Sequence, residues 1–164
     1  MGGRCDRGVL FKAFSRETRL RALLTSVSIL PLLAGPAHAG SVNWTGATSS
    51  DWFTDSNWEW GSGAPTASDD ARISQTGVVL DGEDGAAADL FVGTGSGTDG
   101  GLTVWRELST TNATVAYSDG SIGMITVTGN LGKWTNTGST YIGNDGDGTV
   151  NVLTQAEFLG GVVY

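Results

Sequence analysis

Acids are plentiful here, and two of them lie in Asn144–Thr149, NDGDGT, where oxygen donors alternate with glycine. Such a stretch could wrap a hard cation such as calcium, with Asp145 and Asp147 as the candidate ligands. The nine-residue period of calcium-binding β-rolls is missing, so a tight turn is the plainer reading. Asp81, Glu83 and Asp84 in LDGEDGA could supply a general acid and base, but their glycine-rich setting describes a solvated turn. The single histidine, His38, and the single cysteine, Cys5, both precede residue 40. Beyond that point no Ser-His-Asp nucleophile, histidine metal site or thiol chemistry can be built. Gly93–Gly101, GTGSGTDGG, has no lysine and opens no helix, so it does not cradle phosphate. Trp44, Trp52, Trp58 and Trp60 could stack on sugars, but among turn-forming residues they serve more simply to close one end of a fold. The expectation is a non-enzyme that needs no cofactor.

The elements that must position these residues begin after a distinct leader. Six of the nine basic residues fall within the first 21 positions, and Ala22–Gly35 is apolar and uncharged. Ala37 and Ala39 then frame an A-x-A cleavage signature. A basic region, a short apolar region and small residues describe a secretory signal peptide over residues 1–39, with an extended basic part. The apolar run is shorter than the ~20 residues of a spanning helix. Residues 40–164 carry three basic and fifteen acidic side chains, a net charge of −12, and no cysteine. An exported chain of this kind holds no disulfide. Its charge balance argues against nucleic acid and anionic membranes.

Glycine, 26 of 164 residues, punctuates short alternating runs, and three copies of one pattern follow residue 90. They span 90–112, 113–138 and 139–161 and follow a Trp-rich cap with first strands over 40–89. Phe91-Val92-Gly93, Val115-Ala116-Tyr117 and Tyr141-Ile142-Gly143 are set in register, at steps of 24 and 26 residues. Leu102-Thr103-Val104, Ile125-Thr126-Val127 and Val150-Asn151-Val152 are a second set, at steps of 23 and 25. The positions expected to carry the repeat are Val92, Gly93, Val104, Val127, Trp134, Ile142, Gly143 and Val152. One copy cannot bury its apolar face alone, and stacking copies does so. The predicted fold is all-β, a right-handed parallel β-helix (solenoid); an antiparallel β-sandwich is the alternative, since glycine-rich turns at this spacing also suit hairpins.

Some of these residues carry a family resemblance. Trp44-Thr45-Gly46, then Trp52 to Asn57-Trp58, then Pro65 to Asp69/Asp70-Ala71 resembles the start of bacterial autotransporter (type V secretion) passenger domains. Gly129, Trp134, Asn136, Gly138, Ile142, Gly143, Gly146 and Gly148 match the spacing of the autotransporter-associated β-helix-type repeat. The likeness covers about residues 44–161. It implies a passenger stalk exported through the inner membrane to the cell surface, outer membrane or medium. It further implies adhesion or another interaction with an unknown host-cell, matrix or bacterial-surface ligand, and a translocator barrel in the full-length protein. The pattern stops at GVVY in mid-copy, so the sequence is read as the N-terminal part of a longer chain. Two other functions stay open: a fragment of a carbohydrate-active β-helix enzyme (a glycan lyase or hydrolase), and a calcium-stabilised binding module.

Overall fold

A computed structural model describes residues 40–164. The expected signal peptide helix and the expected cleavage site at Ala37 and Ala39 lie outside the described residues. Ten strands follow in order: β1 (Ser41–Asn43), β2 (Asp70–Ile73), β3 (Val78–Leu80), β4 (Gly85–Val92), β5 (Asp99–Val104), β6 (Glu107–Val115), β7 (Ile122–Thr128), β8 (Lys133–Ile142), β9 (Asp147–Leu153) and β10 (Glu157–Val163). From β2 onward they alternate between two sheets, of order β1-β2-β4-β6-β8-β10 and β3-β5-β7-β9. Every ladder is parallel. The chain therefore coils, laying one strand on each sheet per turn, and the fold is a β-solenoid. The antiparallel sandwich is excluded: consecutive strands of a hairpin would pair antiparallel with each other, and here every ladder is parallel and from β2 onward each strand pairs with the next but one.

Alternation makes the core. In the smaller sheet Val78, Leu102, Ile125 and Val150 form one inward column, and Leu80, Val104, Val127 and Val152 a second. In the larger sheet Ile73, Val92, Val115 and Ile142 align, as do Leu108, Trp134 and Phe158. Most of these side chains are wholly buried, each contributing about 1.5–3 kcal/mol through the apolar area it removes from water. Val152 is 43% exposed because β9 is the last strand of the smaller sheet, and Ile142 is half-buried because β10 pairs with β8 only as far as Thr140.

The smaller sheet keeps the register that the sequence predicts. The larger sheet corrects it by one residue in the middle copy. Val92 pairs with Val115, not with Ala116, and Val115 pairs with Ile142. Ala116 instead occupies the next position, equivalent to Gly93 and Gly143, and all three have positive φ (75°, 61° and 77° for 93, 116 and 143). The chain must leave β4, β6 and β8 through this left-handed corner. Glycine takes it readily and alanine only with strain.

The cap is built around indole rings. Trp58 meets Trp44 and Trp52 edge-on, at centroid distances of 5.1 and 4.9 Å. The Trp58 indole N–H donates to the Trp52 carbonyl at 2.7 Å. Buried Asn57 ties the loop beneath them: its amide oxygen accepts from the Thr48 and Ser49 N–H groups, and its amide nitrogen donates to the Asp51 carbonyl, all at 2.9 Å. The same segment, β1 included, pairs with β2 of the larger sheet and β3 of the smaller. Trp44 N–H bonds the Arg72 carbonyl of β2, and Trp52 N–H bonds the Val79 carbonyl of β3. Trp60 stands apart, 85% exposed.

Candidate functional site

Asp145 lies in the loop that joins β8 to β9 and Asp147 opens β9, and both stack by their backbone on the turn beneath. Asp145 N–H donates to the Ala116 carbonyl at 3.3 Å and Asp147 N–H to the Ser121 carbonyl at 2.9 Å. Both side chains are exposed, and the Asp145 carboxylate accepts from the Asn144 amide at 3.0 Å. Among the described residues no three of His, Cys, Asp and Glu converge on a point that would hold a metal. Asp84, the other acid singled out with Asp81 and Glu83, faces Arg106 at 3.6 Å.

Of the named repeat positions, four are inside the solenoid, while Ile142 is half-buried and Val152 exposed. Val92, Val104, Val127 and Trp134 are fully buried, while Gly93 and Gly143 make the corners described above. Trp134 anchors a small polar network. Its indole N–H donates to Thr110 Oγ1 at 3.0 Å, and Thr110 donates to Asn136 Oδ1 at 2.7 Å. Asn136 Nδ2 then donates to the Ser139 carbonyl and to Thr140 Oγ1, at 2.9 and 2.8 Å. This crosses a bulge: Thr110 pairs with Asn136 but Ala113 with Thr140, so β8 carries one residue more than β6. The tryptophan-asparagine spacing thus has a local cause, since Asn136 satisfies backbone that the bulge leaves unpaired.

A surface that the sequence reading missed lies on the outward side of the larger sheet. Arg72, Phe91, Thr114 and Tyr141 are successive ladder partners, and outward alternation places them in one column. The Arg72 guanidinium lies 4.4 Å from the centre of the Phe91 ring, and Tyr117 meets the same ring edge-on at 5.6 Å. Tyr141 stacks on Tyr164 at 4.8 Å, with planes 11° apart. Between the two aromatic stations the short Thr114 leaves a notch of about 300 Å³. Along one side of it runs a polar strip: Asn112 Nδ2 donates to Asp89 Oδ1 at 2.9 Å, and Asn112 Oδ1 accepts from the Ser139 N–H at 3.1 Å. The signal was present in the valine spacing. Counting back from Val92, Val115 and Ile142 puts Phe91, Thr114 and Tyr141 on the opposite face, but the one-residue slip in the middle copy conceals it.

A second cleft, of about 390 Å³, follows the turns at the other end of the larger-sheet strands and is lined by Arg106, Glu107, Lys133 and Glu157 among others. Its charges are largely matched. Lys133 Nζ donates to Glu107 Oε1 at 3.1 Å, and Arg106 faces Asp84. No helix among the described residues is long and apolar enough to cross a membrane. In comparisons with protein-family models, curated proteins and solved structures, nothing matches this chain.

Proposed function

We propose that this chain is the exported stalk of a bacterial surface protein of the autotransporter-passenger type, acting by presentation and without catalysis. The observation that supports the reading best is the parallel coil itself. Each turn is stabilised by the turn next to it, so such a chain can fold progressively as it emerges on the far side of a membrane. The absence of cysteine after residue 5 fits the same route, because the fold needs no disulfide to form. In this reading residues 1–39 direct passage through the inner membrane, and a translocator barrel in the full-length protein completes export. The outward faces of the sheets then meet a ligand on a host cell, on matrix or on a neighbouring bacterium.

The test is to express the full-length gene in a Gram-negative host, treat intact cells with protease, and sequence the mature N-terminus. The expected result is protease-accessible protein beginning at Gly40. Protein that keeps residues 1–39 and is degraded only after lysis would overturn the proposal.

A further inference from the structure

We infer that the notch between Phe91 and Tyr141 binds a neutral oligosaccharide, one pyranose unit lying between the two rings. The two rings are ladder neighbours once removed, so their stations are about 9.6 Å apart at ~4.8 Å per strand. Thr114 between them is too short to fill the gap. Flat rings present π faces to the C–H faces of a pyranose, burying apolar area without requiring charge. Hydroxyl groups need donors and acceptors at fixed positions beside those rings. Asp89, Asn112 and Ser139 supply them on one edge of the same notch. Asn112 is held at both ends of its amide, so it is ordered before any ligand arrives. The rings are held too, Phe91 by Arg72 and Tyr117, and Tyr141 by Tyr164. Ordering paid for in the folded state is not charged again on binding.

Charge selects within the saccharides. Asp89 lies on the polar side of the notch, while Arg72, the one cation in the aromatic column, is engaged by the Phe91 ring. A uronate or sulfated polymer would meet a carboxylate there, whereas a neutral polymer meets hydrogen-bond partners. The notch falls at the lower bound of small-ligand pockets, roughly 300 Å³. The buried indoles of the cap cannot serve, because Trp44, Trp52 and Trp58 present no free ring face to solvent.

The inference names a ligand for the proposed stalk, and its test is independent of export, being made on purified full chain. Short linear β-1,4-glucan, α-1,4-glucan, mannan and chitin oligomers, with oligogalacturonate as the anionic comparison, are titrated while tyrosine and amide NMR signals are followed. The expected result is saturable binding of at least one neutral oligomer and none of oligogalacturonate. Tyr141→Ala weakens it about tenfold, as does Asp89→Asn, which keeps the side chain's shape. Trp60→Ala, which alters an exposed ring far from the notch in sequence, leaves binding unchanged. Circular dichroism melting establishes that each variant is folded; if Tyr141→Ala is not, Asp89→Asn decides alone. Failure of every neutral oligomer to saturate overturns the inference, as does binding that folded variants leave intact or that only the anionic oligomer shows. A cell in which the chain stays cytosolic removes the stalk proposal and leaves this one standing.

Discussion

At the residue scale the fold turns on a pair of positions that look interchangeable in the sequence and are not. Gly100, Gly123 and Gly148 are ladder partners at the start of the smaller-sheet strands. A Cβ on any of them would fall onto the backbone nitrogen of the corner residue before it: Gly93, Ala116 and Gly143 respectively. Neither partner there is a flexible side chain, so nothing can yield. Gly123→Ala is expected to lower stability by about 1–3 kcal/mol, the usual range for overpacking, or to prevent folding. Ala116→Gly should stay within about 1 kcal/mol of the parent. It relieves the left-handed strain at φ 61° but gives up one buried methyl group and adds freedom to the unfolded chain. Urea unfolding followed by circular dichroism checks the contrast. Equal effects of the two substitutions would show that the corner geometry is not what those glycines are for. A sequence reader sees glycine at both kinds of position. Only coordinates separate the one that needs positive φ from the one that needs room.

At the element scale the strands were legible in proportion to how strictly they alternate. Leu102-Thr103-Val104, Ile125-Thr126-Val127 and Val150-Asn151-Val152 leave a single register in which all apolar side chains face inward, and the structure keeps it. The larger sheet is harder, because Val115 and Ala116 are both apolar and either could face the core. The chain resolves this by giving Ala116 the corner. The β8 bulge has no signature in alternation, and only its satisfied partner, Asn136, marks it. The outer column of rings was hidden by the same slip. The cap, by contrast, is plain in composition, and it carries a consequence. Its backbone covers the edges of β2 and β3, which would otherwise offer unpaired N–H and C=O groups to another chain. Trp58 touches both other buried indoles. Trp58→Ala should cost about 3–5 kcal/mol and, by loosening the cap, turn a monodisperse protein into one that self-associates. Size-exclusion chromatography with light scattering reads both states. A variant that is destabilised but stays monomeric would confine the cap to packing and remove its role as an edge guard.

At the scale of the whole described region the governing quantity is charge. Fifteen carboxylates face three cations over residues 40–164. Two of those cations are in ion pairs, Arg106 with Asp84 and Lys133 with Glu107, each partner more than a third exposed on its side chain or close to it. Exposed pairs contribute little, in the range of about 0–1 kcal/mol, while the excess of like charge opposes compaction. The balance therefore favours repulsion, and added salt should relieve it. Raising NaCl from about 10 mM to 150 mM shortens the screening length from roughly 30 to 8 Å. The melting temperature is then expected to rise by a few degrees, with sodium and potassium acting alike. Calcium at the same ionic strength should give no further rise, because Asp145 and Asp147 meet no third acid at a common point. A calcium-specific rise reversed by chelator would restore the calcium-stabilised module. The same titration bears on the notch. Ring stacking and hydrogen bonds to a neutral sugar involve no counterion release, so saccharide affinity should stay level while stability climbs. An affinity that falls in parallel with screening would mean that charge, and not the Phe91 and Tyr141 rings, holds the ligand.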